Sequence, residues 1–86
     1  MKLIFCNKCQ DVFKLSTSKE KFCECGKSSG MYIDELNAWY KGECVPLGFA
    51  NYTLGLAIQN QPQRGWGVNF GAFVIAKECD TFKLKI

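Results

Sequence analysis

Four of the six cysteines fall as two close pairs, Cys6-Asn7-Lys8-Cys9 and Cys23-Glu24-Cys25, with thirteen residues between them. Each pair offers two sulfurs from one tight turn. Two such turns, brought together by a hairpin-length insert, complete a tetrahedral shell of thiolates at about 2.3 Å from a divalent ion. Four sulfur ligands close the shell, so the expected site is structural; catalytic zinc keeps a position for water or substrate. At a length this close to the lower limit, some extra staple is expected. A chain of 86 residues is one domain, and a core below about 80 residues rarely supplies more than roughly 3–5 kcal/mol. Structural zinc contributes roughly 10–16 kcal/mol in small zinc peptides.

The competing use of cysteine, a disulfide framework, belongs to exported chains. Before Cys6 the chain has only the short apolar run Leu3-Ile4-Phe5, well below the 7–15 or so residues of a signal peptide. No apolar run approaches the roughly 18 residues of a membrane span. The expected location is therefore cytoplasmic and reducing, with no membrane partner. A redox Cys-x-x-Cys would open a helix in a βαβ pattern, which nothing around Asn7-Lys8 supplies. The chain has no histidine, which excludes Ser-His-Asp and Cys-His catalysis and histidine ligation. Asp34, Glu35, Glu43, Glu78 and Asp80 read as solvated surface rather than paired catalytic carboxylates. No enzyme is expected. Cys44 and Cys79 read as small buried apolar residues, with a partial second metal site or a mutual disulfide as the alternatives.

Residues 5 to 26 resemble a zinc ribbon, the family in which two cysteine knuckles at hairpin tips clamp one zinc ion. Gln10 stands where a glycine commonly follows the first knuckle, and the second knuckle is Cys-x-Cys rather than Cys-x-x-Cys. The remainder, with Gly30-Met31-Tyr32-Ile33-Asp34 and Pro46-Leu47-Gly48-Phe49-Ala50-Asn51, resembles small uncharacterised bacterial and phage proteins. The resemblance implies Zn2+ held by Cys6, Cys9, Cys23 and Cys25, and no activity.

Periodicity predicts a single α+β domain over 1–86: a ribbon lobe at 1–30 packed on a body at 31–86, the latter a small, mostly antiparallel sheet with one short helix. Val12 to Leu15 is a short strand, Ser16 to Lys19 a polar turn, and Lys21-Phe22 a return to the second knuckle. Residues 31–40 fit either a helical face or a strand; their aromatic content favours a meander turning at Lys41-Gly42. Asn51 caps a helix through Asn60, with Leu54, Ala57 and Ile58 on one side and Pro62 beyond. Phe73-Val74-Ile75-Ala76 reads as a buried strand. Phe82, Leu84 and Ile86 alternate with polar residues as a half-exposed one.

The net charge of +3 lies wholly in residues 1–30, which hold six lysines against three acids. Four thiolates around one Zn2+ carry a charge of minus two, which lowers that lobe to about +1. The charge therefore marks a soluble surface first. The leading functional reading is a non-catalytic, zinc-stabilised module that docks on a protein through aromatic surface at Trp39, Tyr40 and Trp66. The loop Gly65-Trp66-Gly67 reads first as a plain connection with Trp66 folded back on the body. An exposed tryptophan beside an arginine is nonetheless the composition of an interface anchor, so Arg64 and Trp66 head the contact candidates. The alternative is a nucleic-acid-binding ribbon using Lys8, Lys14, Lys19, Lys21 and Lys27.

Overall fold

The computed structural model describes residues 1–85. Ile86, the last residue of the alternation noted above, lies outside them. The elements are β1 (Lys2–Cys6), β2 (Val12–Lys14), β3 (Lys21–Phe22), β4 (Ser29–Tyr32), β5 (Ala38–Lys41), β6 (Cys44–Phe49), α1 (Asn51–Gln59), β7 (Ala72–Val74) and β8 (Phe82–Leu84). They form two four-stranded sheets, ordered β2-β1-β6-β7 and β3-β4-β5-β8. Pairing is antiparallel except between β5 and β8. The fold is thus α+β in kind and mostly β, with two sheets where one was expected.

The sheets face each other across a small core. Ile4 of β1, Leu15 after β2, Ala38 and Tyr40 of β5, and Phe82 of β8 are all buried in one cluster. Phe82 is its centre, with 0% exposure and its ring edge-on to Tyr40 at 5.2 Å. Gly30 makes the sheet-to-sheet approach possible. A Cβ there would collide with the Ile4 side chain and stand 2.8 Å from the Trp39 carbonyl oxygen. Strands β1 and β2 from the amino-terminal third therefore share their core with β5 and β8 from the rest of the chain.

Residues 31–40 form strands, as the aromatic content favours, joined by a turn in which Asp34 Oδ1 accepts from the Leu36 and Asn37 backbone N–H groups, each at 2.8 Å. These bonds, with those from the Asn37 side chain foremost, hold the Asp34 carboxyl below its ordinary pKa. The expected meander does not form, because the chain changes sheets at Gly42: β5 pairs with β4 and β8, and β6 with β1 and β7. β6 tolerates Pro46 because the missing donor faces the end of β7, where the Ile75 N–H donates to the Pro46 carbonyl at 2.9 Å.

The helix starts one residue early relative to the expected cap. Ala50 is the N-cap, Asn51 is already helical, and no side chain caps the first turn. Thr53 ties α1 to the strand region instead. Its hydroxyl donates to the Ala50 carbonyl at 3.0 Å and accepts from the Gly71 N–H at 2.8 Å. The helix buries no residue; Leu54 and Ala57 are half-buried and Ile58 is exposed. The expected buried strand at 73–76 is the largest departure. β7 covers Ala72–Val74, lies at a sheet edge, and all three residues are exposed.

Phe82→Ala should empty the centre of the core. A loss of about 3–5 kcal/mol is expected for a buried phenylalanine, read as a lowered midpoint in chemical denaturation of the metal-loaded chain, large enough to leave so small a domain substantially unfolded.

Candidate metal centre

Both cysteine pairs occupy hairpin turns. Residues 7–11 join β1 to β2, and residues 23–28 join β3 to β4, one hairpin in each sheet. The first turn closes through the Gln10 N–H donating to the Cys6 carbonyl at 2.8 Å and the Cys6 N–H donating to the Asp11 carbonyl at 2.9 Å. The second closes through the Gly26 N–H donating to the Cys23 carbonyl and the Cys23 N–H to the Ser28 carbonyl, each at 3.0 Å. In both turns the residue after the last cysteine takes the left-handed conformation, Gln10 at φ 62° and Gly26 at φ 76°. Gln10 thus adopts the backbone that a glycine would adopt more cheaply.

The turns meet so that the sulfurs of Cys6, Cys9, Cys23 and Cys25 all lie within 4.8 Å of one another. Cys6 Sγ stands 3.8 Å from Cys25 Sγ, and Cys23 Sγ 3.4 Å from Cys25 Sγ. A regular tetrahedron with metal–sulfur bonds of about 2.3 Å has sulfur edges of roughly 3.8 Å. The Cys6–Cys25 separation equals that edge and the Cys23–Cys25 one is somewhat shorter, and all six cysteines are free of disulfides. The four sulfurs can hold a metal ion. Cys6 and Cys23 are buried, Cys9 is half-buried and Cys25 is exposed, so the centre has one wet side.

The surrounding donors favour thiolates. Ser28, a residue the sequence reading passed over, donates through its hydroxyl to Cys6 Sγ at 3.3 Å and through its N–H to Cys23 Sγ at 3.4 Å. The Lys8 N–H also donates to Cys6 Sγ, at 3.4 Å. The Ser28 hydroxyl foremost, with the backbone of Cys9 and Lys8, lowers the Cys6 pKa to about 6. At Cys23, desolvation and Cys6 push upward, but the Ser28 N–H, Cys25 and Cys9 leave the thiol below its ordinary value. At Cys25 the Lys27 N–H pulls down, yet Cys23, desolvation, Cys9 and Cys6 together drive the thiol up to about 12. Crowded sulfurs ionise together only when a cation supplies the opposing charge.

A third segment completes the surroundings. The turn between β5 and β6 lies against both cysteine turns. The Asn7 N–H donates to the Glu43 carbonyl at 3.0 Å. Gly42, at φ 102°, is packed so closely that a Cβ would collide with the Lys27 carbonyl oxygen and come within 3.0 Å of Ser28 Cα. Cys44 faces Cys6 across the β1–β6 ladder but lies outside the four-sulfur group, and burial raises its thiol pKa. Cys79 sits near Thr81, whose hydrogen bonds lower its pKa. Both pack partly buried against the core.

The remaining candidates are scattered. Tyr40 is buried in the core, and Trp39 is half-buried with Lys85 Nζ 4.4 Å from its ring centroid. Trp66 is 95% exposed rather than folded back, and Arg64 is exposed on the same loop. Tyr40, being buried, offers no exposed surface to share with Trp66. Of the lysines, Lys8 lies 3.5 Å from Glu43 in an exposed ion pair. Lys14 and Lys21 line one cleft of about 470 Å³ with Ser16, Thr17 and Tyr32. Lys19 and Lys27 are exposed and do not line it.

Comparison with known protein families, with curated proteins and with solved structures finds no match for this chain. The metal centre stands on its own geometry.

Ser28→Ala should raise the Cys6 pKa from about 6 toward the ordinary thiol value near 8.5. Ligation requires thiolates, so metal uptake should shift to higher pH and affinity at neutral pH should fall about 10–100-fold. Competition with a chromophoric chelator across pH 5–8 measures this. An unchanged profile would refute the assigned role of Ser28.

Proposed function

We propose that the four-sulfur centre binds one Zn2+ through Cys6, Cys9, Cys23 and Cys25, in the manner of a zinc ribbon, and that the ion is structural. The convergence of two hairpin turns on a closed set of four sulfurs carries this reading. Zinc accepts four thiolates tetrahedrally without redox change, and such a site has no remaining position for substrate. The ion's work is to neutralise the crowded thiolates and to hold one hairpin of each sheet against the other. Six cysteines without a disulfide suit a reducing, cytoplasmic setting. Among the described residues no helix is long and apolar enough to cross a membrane.

The module's function, on this proposal, is non-catalytic docking on a protein. What supports it is where the exposed apolar side chains lie. Among the described residues, fourteen large hydrophobic side chains are exposed, and eight of them fall between Tyr52 and Val74, Trp66 among them. Exposed apolar side chains concentrated in one stretch of chain suit a contact site better than a solvated face. The docking surface is thus the helix, the glycine loop and β7 rather than Trp39 and Tyr40.

One observation favours a second reading, nucleic-acid binding. Lys14 and Lys21 share a cleft with the half-buried ring of Tyr32, a basic and aromatic combination suited to phosphate and base. The charge of a zinc tetrathiolate offsets much of the surrounding lysine charge, which ranks this reading second.

The native mass of the chain should exceed its bare mass by one zinc ion, and Cys23→Ser should abolish the increment. For docking, Trp66→Ala should reduce partner capture from the native host severalfold, with no response to nuclease and little to salt between 50 and 200 mM. Loss of capture on nuclease treatment, with a steep salt response, would transfer the function to the lysine cleft.

A further inference from the structure

The edges of the two sheets are not alike. An edge strand presents unpaired N–H and C=O groups, and proteins blunt it with lysine, proline or a bulge. Three of the four edges here carry a lysine within the strand: Lys14 in β2, Lys21 in β3 and Lys83 in β8. The fourth, β7, is Ala72-Phe73-Val74, with no charge and no proline. Phe73 and Val74 are 54% and 68% exposed. From Cys44 to Ala76, Arg64 is the one charged residue.

The ladder fixes which polar groups β7 leaves open. The Ala50 N–H donates to the Gly71 carbonyl at 2.8 Å, and the Ile75 N–H to the Pro46 carbonyl at 2.9 Å. Phe73 lies opposite Gly48 between them. Residues 71, 73 and 75 thus turn their polar groups toward β6, and antiparallel alternation points those of Ala72 and Val74 away from the sheet.

The chain also has surface to spare. It exposes 6315 Å², roughly 1,200 Å² more than the area scaling of folded monomers gives for its mass. Its radius of gyration is 14.1 Å, against roughly 12 Å for a compact domain of this length. A standard interface takes about 800 Å² from each partner.

We propose that β7 pairs antiparallel with β7 of a second copy of this chain across a two-fold axis, joining two four-stranded sheets into one of eight strands. This rests on the reading of the helix, loop and β7 as a docking surface and names its occupant. A two-fold contact requires a self-complementary patch. Ala72 and Val74 of one copy exchange main-chain hydrogen bonds with Val74 and Ala72 of the other, around facing Phe73 residues. Neutrality matters because each copy carries a net charge of +3. Like charges set opposite one another would oppose pairing, and this edge has none, just as it has nothing to attract an acidic or basic partner. The surplus area exceeds what one side of a stable interface takes. Phe49 of β6, which lies opposite Ala72 of β7, packs edge-on to Phe70 at 5.1 Å, and Phe70 lines the apolar groove of about 280 Å³ beside α1 with Ile58 and Val68.

Sedimentation equilibrium of the full, metal-loaded chain should give twice the 9.7 kDa of one chain. Val74→Lys places like charge in the new ladder, and Ala72→Pro removes an outward N–H while leaving the bonds to β6 intact. Each should halve the apparent mass with metal content and circular dichroism unchanged, and Lys14→Gln at the β2 edge should leave it doubled. A monomeric wild-type chain, a doubled mass that survives both β7 variants, or open-ended larger species would each overturn the proposal. If the chain is monomeric but Val74→Lys abolishes capture of a different protein, pairing with a second copy falls while the docking reading stands.

Discussion

Four sulfurs held within 4.8 Å of one another are the constraint on which the rest of the architecture depends. The hairpin β1–β2 belongs to one sheet and β3–β4 to the other, so the point where their turns meet joins the sheets at one end of the molecule. Without an opposing charge the crowded thiols hold protons unequally, from a Cys6 pKa of about 6 to a Cys25 pKa of about 12. A divalent ion would replace those protons with one cation shared by four sulfur ligands. The same act would convert a repulsive cluster into a clamp between layers. Beyond the clamp, the sheets are held by a buried cluster of five residues, Ile4, Leu15, Ala38, Tyr40 and Phe82, a small core for a chain of this length.

The four-cysteine cluster was legible in the sequence because cysteine spacing is a local property. Two cysteines in one turn must present their sulfurs together whatever the rest of the chain does. The helix at 51–59 and the strands of residues 31–40 were legible for a similar reason, since capping, period and composition act over a few residues. Sheet membership was not. Lys41-Gly42 does turn the chain, but Gly42 lies against the second cysteine turn, which sends β6 to the other sheet. No local pattern records that contact. Ser28 was missed because serine is common in turns. Only the fold shows its hydroxyl and N–H reaching two different cysteines.

The misreading of residues 73–76 follows from a different limit. An unbroken apolar run is the signature of a strand covered on both faces, and Phe73-Val74-Ile75-Ala76 has that signature. In the single chain, β6 occupies one edge of β7, and Ala72, Phe73 and Val74 remain exposed. On the proposed pairing, that composition would suit the covered state, whereas the single chain leaves these residues in water. Trp66 shows the same discrepancy, with a large indole that finds nothing in its own chain to pack against.

The two halves of the molecule therefore differ in what stabilises them. Residues 1–30 hold all of the net charge and the four clustered sulfurs, and their strands complete the small core. Residues 44–76 hold one charge, a helix that buries no residue and a sheet edge without a lysine. Apolar groups left in water make no contribution to folding, since the hydrophobic term scales with area removed from water. A chain with so modest a core gains little by keeping eight large apolar side chains outside it unless another surface removes them from water. The β1–β6 and β6–β7 ladders connect the four-cysteine cluster to the open edge. On the proposed reading, an ion bound at that cluster would therefore help set the geometry of the edge, and the order of events would be metal first, association second.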